Sequence, residues 1–281
     1  MKFYIVDAFT SEPFGGNTAG VVLLNGDFPS DELMQQVAAE LRYSETAFVQ
    51  QQGYDEFTVR YFTPAGEVDL CGHATIATFS LLNQLGMVND QVPVVNHTLA
   101  GDLKVKFGCH VMMQMAAPRV LEVPMDIDRL HRIMAGEKPQ HWPEMPVEVV
   151  STGLPDIIMP MASVEALNAM RPDMAALAAY SIELDVVGVH AFALSDDGYT
   201  AHVRNFGPRY DIPEESATGT ANAALTHYLQ RRGLVKRGDD CRFLQGETMG
   251  RPSVVATTVD PNGVIWVGGS SCIVATGELL L

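Results

Sequence analysis

Three side chains in this sequence are suited to moving a proton: Glu45, His73 and Glu215. Glu45 follows Ser44 and precedes an apolar run typical of a strand, so partial burial can give its carboxyl the raised pKa of a general acid or base. His73 lies in the first turn of a predicted helix, where the positive helix end favours a neutral, proton-relaying imidazole. Glu215 precedes a second predicted helix and could hold a substrate amine or tune the proton transfer. Each of the three could instead be a capping, packing or surface residue.

The two predicted helices begin with similar small and polar residues, Cys71-Gly72-His73-Ala74-Thr75 and Ala217-Thr218-Gly219-Thr220-Ala221. A helix N-terminus presents unpaired N–H groups and the positive end of the helix dipole. Small side chains let a ligand approach this backbone, so each end is suited to a carboxylate. The candidate substrate contacts are Asn17, Ser44, Gly72, Thr218, Gly219 and Thr220. Each has an alternative interpretation as an ordinary turn or cap residue.

An internal repeat relates the two helix starts. Arg60-Tyr61-Phe62-Thr63-Pro64 aligns with Arg204-Asn205-Phe206-Gly207-Pro208 at an offset of 144 (204 − 60), and Gly72 aligns with Gly219 at an offset of 147 (219 − 72). Each copy predicts a strand, a loop and a helix that ends at a glycine. We interpret the pattern as a duplication. The alternative is two α/β segments with similar chemistry and no common origin.

Further elements complete the predicted lobes. The pattern predicts strands over 1–7, 19–24 and 102–115, and a helix over 30–41 with Ser30 as its N-cap. Pro-rich stretches at 116–124 and 138–146 suggest the connection between halves, and a final strand, 271–281, could return to the first half. We therefore predict two lobes, residues 1–117 with 271–281 and residues 118–270. The fold class is α/β or α+β, with mixed sheets around long helices.

Composition narrows the classes of partner. The chain has 281 residues, 47% of them apolar, and a net charge of −16, which argues against nucleic acid or an anionic membrane as partner. No apolar run approaches the roughly 18 residues of a membrane span, and the N-terminus lacks a signal-peptide pattern. Four scattered cysteines indicate reduced thiols in a cytoplasmic protein. The histidines lack ligand spacing, so we predict no metal site.

Several stretches, in order along nearly the whole chain, resemble the phenazine-biosynthesis PhzF-like family within the diaminopimelate epimerase-like fold. The matching stretches are 7–10, 14–22, 44–48, 60–64, 67–75, 214–221 and 245–253. The resemblance implies an α+β fold of two pseudo-symmetric lobes, each a mixed sheet wrapped around a central helix. It also implies an active site between the lobes, a homodimer, and no metal or organic cofactor.

The resemblance also implies a reaction. In PhzF one glutamate takes a proton from a ring carbon of a dihydro-hydroxyanthranilate and redelivers it, and that glutamate matches Glu45. Glu215 stands where the family usually has an aspartate, and its extra methylene could displace the carboxylate by about 1 Å. The sequence therefore predicts a cofactor-independent isomerase that acts on a small carboxylate-bearing molecule.

Two other functions stay open. The first is an amino-acid epimerase or racemase, which in diaminopimelate epimerase needs a cysteine in each lobe. Here the repeat pairs Cys71 with Thr218, whose hydroxyl is far too weak an acid to replace a thiolate, so we interpret Cys71 as a packed residue. The second is a catalytically inactive protein that binds a small carboxylate.

Overall fold

The computed structural model describes residues 1–135 and 145–281, so most of the predicted 138–146 connection lies outside the described residues. The chain divides into two compact units. Unit 1 is Met1–Gln114 with Gly268–Leu281, and unit 2 is Met115–Val267. Within the described ranges, no helix has both the length and the apolar character that a membrane crossing requires.

The secondary structure consists of short strands and six α-helices over the described residues. The strands are β1 (Lys2–Ala8), β2 (Asn17–Leu23), β3 (Glu45–Gln51), β4 (Glu56–Phe62), β5 (Glu67–Val68), β6 (Val94–Thr98), β7 (Gly101–Lys106), β8 (Val111–Gln114), β9 (Arg119–Leu121), β10 (Glu148–Ser151), β11 (Pro155–Pro160), β12 (Val189–Leu194), β13 (Ala201–Gly207), β14 (Ile212–Glu215), β15 (Asp240–Gln245), β16 (Ser253–Val259), β17 (Ile265–Gly269) and β18 (Ser271–Glu278). The helices are α1 (Asp31–Leu41), α2 (Gly72–Gln84), α3 (Ile127–Met134), α4 (Val164–Ala169), α5 (Met174–Leu184) and α6 (Gly219–Arg231).

Unit 1 wraps its strands around α2. The strands pair in the order β18, β1, β2, β3, β4, β6, β7, β8, and the short β5 pairs with the end of β4. The β2–β3 and β4–β6 pairs are parallel and the others antiparallel. Every α2 residue from His73 to Leu82 is buried. A helix that is buried on every side requires neighbours all round it. Here the neighbours are β1, β2, β3, β8 and β18.

Unit 2 has the same order of strand pairing around α6. Its strands pair as β9, β10, β11, β12, β13, β15, β16, with β14 beside β13. The parallel pairs are β11–β12 and β13–β15. Both α2 and α6 have 13 residues and begin at a glycine.

The structure differs from the sequence prediction in several elements. The predicted strand 102–115 is two strands, β7 and β8, because a turn that contains Gly108 reverses the chain. Helices α3, α4 and α5 were not predicted from the sequence; they contribute to a buried cluster that includes Leu130, Leu167 and Leu177. Ser30 is confirmed as the N-cap of α1, where its side chain accepts a hydrogen bond from the Leu33 N–H. The mixed sheets with six described helices confirm the α+β class.

Gly246 fixes the turn that follows β15. Its φ is +78°, and a Cβ there would collide with the carbonyl oxygen of Arg251 and lie 2.8 Å from that of Ser216. We expect Gly246→Ala to lower the free energy of unfolding by about 3 kcal/mol, because the positive φ strains an alanine backbone and the collision of its Cβ adds to that strain. Gly250→Ala is the matched control: its φ is +68°, but a Cβ there meets no described atom within 4 Å. Its expected loss is about 1 kcal/mol. Urea unfolding measures both, and equal losses would contradict the packing argument.

Candidate active site

Two of the three predicted catalytic residues lie side by side in unit 1. Glu45 is the first residue of β3, and His73 is the second residue of α2. The Glu45 Oε2 atom lies 3.2 Å from the His73 Nε2 atom, and the two side chains are 15% and 4% exposed. The end of the strand and the start of the helix therefore form one carboxylate–imidazole pair.

Ser44 and Cys71 complete this cluster. The Ser44 Oγ atom lies 3.3 Å from His73 Nε2, and the Cys71 Sγ atom lies 3.4 Å from His73 Nδ1. Cys71 is the N-cap residue of α2, but its side chain makes no capping hydrogen bond. The sulfur is thus free to contact the imidazole. We call Ser44, Glu45, Cys71 and His73 the unit 1 cluster.

The pKa of Glu45 differs from the sequence prediction. Burial is the largest single influence on this carboxyl and raises its pKa, as predicted, but the charge of His73 and the polar contacts around the carboxyl together outweigh burial and lower the pKa below its ordinary value of 4.5. Polar contacts with Ser44 and Cys71 act in the same direction. Glu45 is therefore a charged carboxylate at neutral pH and can accept a proton.

The pKa of His73 also differs from the neutral imidazole that the sequence predicted. Burial opposes its charge, but Cys71 and Glu45 favour it, and together they raise the pKa well above 6.5. Burial is the main cause that raises the pKa of Cys71 to about 11, so this thiol is protonated at neutral pH. Glu45 is then the anion that stabilises the imidazolium. The resting cluster is a buried carboxylate–imidazolium pair.

Asn17 and Gly72, two predicted substrate contacts, belong to the same unit. Asn17 begins β2, which runs parallel to β3 with Ala19 opposite Glu45, so Asn17 lies towards the end of the sheet where Glu45 begins its strand. Gly72 begins α2, and a Cβ there would lie 3.2 Å from the terminal methyl of Met113. Gly72 thus keeps the start of α2 closely packed.

Glu215 and Thr218 belong to a second polar cluster, in unit 2. The Thr218 hydroxyl donates to Glu215 Oε2 at 2.5 Å. The Gln245 amide group donates to the carbonyl oxygen of Glu215 and to the Thr218 hydroxyl, and its oxygen accepts from the Thr218 N–H and from Asn222. Gln245 therefore fastens β14 to the start of α6. Gln245 was not among the predicted site residues, although it lies in the matching stretch 245–253.

Gly219 and Thr220 are the first two residues of α6. Gly219 is buried and Thr220 is half-buried, and the carbonyl oxygen of Thr220 accepts from the Thr152 hydroxyl at 2.9 Å. The structure thus brings Glu215, Thr218, Gly219 and Thr220 together at one helix start in unit 2.

Buried polar residues extend this cluster beneath α6. His190 lies opposite Asn205 in the sheet, and Asn205 lies opposite Glu215. The Asn205 amide donates to His190 Nδ1, and His190 Nε2 donates to the Asn222 side-chain oxygen, both at 3.3 Å. Burial lowers the pKa of His190 to about 3, which leaves one ring nitrogen to accept and one to donate.

Asp156, on β11, is an acid within this buried network. Burial raises its pKa to about 7, and the charge of Glu215 adds to this, while a hydrogen bond with Asn205 opposes it. Its Oδ1 atom has no hydrogen-bond partner among the residues that the structure describes. No spacing pattern pointed to Asp156, because tertiary packing alone places it with Asn205 and Glu215. We call Asp156, His190, Asn205, Glu215, Thr218, Asn222 and Gln245 the unit 2 cluster.

The sequence model of the phenazine biosynthesis-like proteins, PhzC-PhzF, matches residues 6–277. This chain belongs to that family. The uncharacterized isomerase YfhB of Bacillus subtilis is 31% identical over 92% of this chain and 90% of its own length. The trans-2,3-dihydro-3-hydroxyanthranilate isomerase of Pseudomonas chlororaphis is 29% identical over 90% of this chain and 88% of its own length. The enzyme class of this PhzF-like chain is therefore isomerase.

Solved structures agree with the family assignment. The Bacillus anthracis phenazine biosynthesis protein of the PhzF family superposes with a TM-score of 0.88 at 26% identity, and it covers 100% of this chain and 99% of its own. A hydroxyproline epimerase from Agrobacterium vitis, at 15% identity and a TM-score of 0.65, shares the fold. The predicted diaminopimelate epimerase-like fold is thereby confirmed.

Proposed function

We propose that this chain is a cofactor-independent isomerase that shifts a proton on a small carboxylate-bearing molecule, with Glu45 as the proton carrier. One observation carries the proposal: a buried, charged Glu45 lies 3.2 Å from an imidazolium at the start of α2. Beside this carboxylate, the Ser44 hydroxyl and the protonated Cys71 thiol also contact the His73 ring.

The proposed chemistry follows from these charges. Glu45 accepts a proton from a substrate carbon and then holds a neutral carboxyl group beside a charged imidazolium. Because the pKa of the Glu45 carboxyl is low, this protonated state is short-lived, and Glu45 delivers a proton to a second carbon of the same molecule. In D2O the proton on Glu45 exchanges with the solvent before delivery, so the product carries deuterium. His73 stabilises the negative charge that develops on the substrate, and the N–H groups at the start of α2 bind its carboxylate.

The substrate class follows from the helix starts and from one relative. Both glycine-entered helix ends are suited to a carboxylate, and the Pseudomonas chlororaphis relative is named for a hydroxyanthranilate. We therefore propose a cyclic or amino-acid-like carboxylate. We propose that Glu215 holds an amine of the substrate or tunes the proton transfer, and that Thr218 and Thr220 are substrate contacts. We also propose a homodimer, as the family resemblance implies, and a cytoplasmic location, as the four scattered cysteines indicate.

The alternative epimerase mechanism requires a reactive thiol. The pKa of Cys71 is raised by burial to about 11, which is unfavourable for a thiolate base. A non-catalytic carboxylate-binding protein is the second alternative. It requires that bound carboxylates never exchange carbon-bound hydrogen.

The experiment that tests the function measures deuterium uptake from D2O into a panel of cyclic and amino-acid-like carboxylates, by mass spectrometry. We expect uptake at carbon with wild-type protein, at least a tenth of that rate with Cys71→Ser, and a large loss with Glu215→Gln. Cys109→Ser, at an exposed cysteine of unit 1, is the matched control. A loss above about 1000-fold in Cys71→Ser alone would favour the thiol mechanism. Binding of a carboxylate without any exchange would favour the inactive protein.

A further inference from the structure

The unit 1 cluster contains three different metal-ligating groups in one small volume. One ligand atom each from Glu45, Cys71 and His73 lie within 4.8 Å of one another. The distance from His73 Nε2 to Glu45 Oε2 is 3.2 Å, and that from His73 Nε2 to Cys71 Sγ is 3.8 Å. Glu45 and His73 are 28 positions apart (73 − 45), so sequence spacing gives no sign of this grouping.

These distances match the edges of a tetrahedral zinc site. Zinc bonds of about 2.0 Å to nitrogen and oxygen and about 2.3 Å to sulfur give edges of about 3.3 Å between nitrogen and oxygen and about 3.5 Å between nitrogen and sulfur. The observed separations differ from these by a few tenths of an ångström. The third pair, Glu45 and Cys71, has its ligand atoms within 4.8 Å, so modest side-chain rotations point the three ligands at one centre.

The donor set selects the class of cation. A thiolate and an imidazole favour borderline-soft ions such as Zn²⁺, whereas Mg²⁺ and Ca²⁺ require oxygen ligands throughout. The Ser44 hydroxyl, 3.3 Å from His73 Nε2, or a solvent molecule is available for the fourth position. Three protein ligands and one such fourth ligand make up the four-coordinate sphere that zinc prefers.

The fold holds the three ligands in place before a metal arrives. Cys71 and His73 flank the first residue of α2, and Glu45 begins β3, so each ligand comes from the end of a regular element. Cys71 is 7% exposed and His73 is 4% exposed. Moreover, the buried Glu45 Oε2 accepts no aligned hydrogen bond in the described part of the chain, although it lies near Nε2. A cation that displaces the His73 proton would therefore replace only the contact of this oxygen with Nε2.

We propose that Glu45, Cys71 and His73 form a binding site for Zn²⁺ or a cation of similar softness, and that the bound cation inhibits the enzyme. On binding, Cys71 loses its thiol proton and His73 loses its imidazolium proton, and both protons pass to the solvent while three bonds to the metal form. Inhibition rests on the proposed function, since the metal occupies the Glu45 oxygen that would accept the substrate proton. Metal binding itself does not depend on that function.

The binding test uses Co²⁺ as a spectroscopic probe on the full chain. We expect a thiolate-to-cobalt charge-transfer band in the near ultraviolet that saturates at one Co²⁺ per chain. Cys71→Ser loses the band, His73→Gln weakens Co²⁺ binding at least tenfold, and the control Cys241→Ser, at a buried cysteine of unit 2, retains both. A wild-type protein without the band, or a band that survives in Cys71→Ser, would overturn the site. The wild-type spectrum decides the question even where a variant fails to fold.

The inhibition test follows deuterium exchange with increasing Zn²⁺. We expect exchange to stop as one equivalent of Zn²⁺ binds, and to return after addition of a chelator. Unchanged exchange at saturating Zn²⁺ would overturn the inhibitory part, while the cobalt spectrum would still establish the site. If no carboxylate exchanges at all, the proposed function fails, and the cobalt spectrum still tests the metal site.

Discussion

Glu45→Gln is expected to lower the rate of proton exchange by about 10²- to 10⁴-fold, with little change in substrate affinity. Glutamine has the same size and keeps a polar contact with His73, but its amide cannot take up a proton from carbon. The substitution therefore removes the proposed proton carrier and leaves intact the helix start that we propose to bind the carboxylate. Deuterium uptake measures the exchange rate, and titration of the same carboxylate measures affinity.

The control for this variant is Glu40→Gln, at an exposed carboxylate on α1 of the same unit. We expect it to exchange at the wild-type rate. Circular dichroism establishes that both variants are folded, so a loss of exchange reports on chemistry. Equal exchange rates in wild type and Glu45→Gln would reject Glu45 as the proton carrier.

The pH dependence of exchange gives a second measure of the same pair. His73 lowers the pKa of Glu45, so the carboxylate stays charged, and exchange continues, as the pH falls towards 4.5. In His73→Gln the charge of His73 no longer opposes the effect of burial, so the pKa of Glu45 rises. The acid limb of the rate profile should therefore move to higher pH in this variant. If the role of His73 were purely structural, His73→Gln would change the maximum rate but would not move the acid limb of the profile.

Asp156→Asn is expected to stabilise the protein at pH 8 by about 2–4 kcal/mol. Asp156 is 1% exposed, and its pKa is raised from 3.8 to about 7 by burial and by Glu215. A pKa rise of this size means that folding disfavours the charged form of Asp156 by roughly 4 kcal/mol. Asparagine has nearly the same shape but never carries the charge. Urea unfolding at several pH values measures the difference.

The direction of the pH effect is fixed by proton binding. Between pH 4 and pH 7 the folded protein keeps the Asp156 proton and the unfolded chain has lost it. The stabilisation from Asp156 is thus complete below pH 4 and is lost as the pH rises through 7. The free energy of unfolding of Asp156→Asn should therefore not show this decline as the pH rises through 7.

Asp196→Asn is the matched control for Asp156, because Asp196 is an exposed residue of the same unit. Its expected effect on the free energy of unfolding is below about 0.5 kcal/mol. Parallel stability curves for wild type and Asp156→Asn from pH 4 to pH 8 would show that Asp156 is not a buried acid.

Sequence patterns predict the family and the local elements around the two long helices. Glycine-entered helices at Gly72 and Gly219, the Ser30 cap and the alternating strands follow from local preferences and apolar periodicity, which act over a few neighbouring residues. Glu45 and His73 were singled out because they lie at the ends of such elements and within stretches that match the family.

The charge states of Glu45 and His73, and the residues that make up the two clusters, depend on tertiary packing. The Glu45 and His73 pKa values move against the sequence prediction because each side chain is buried beside the other. Glu45 lies beside His73 although the two are 28 positions apart (73 − 45), and Asp156 lies near Glu215 although no spacing pattern relates them. Burial and charge–charge interaction depend on distance in space, and packing of distant strands against α2 and α6 sets that distance.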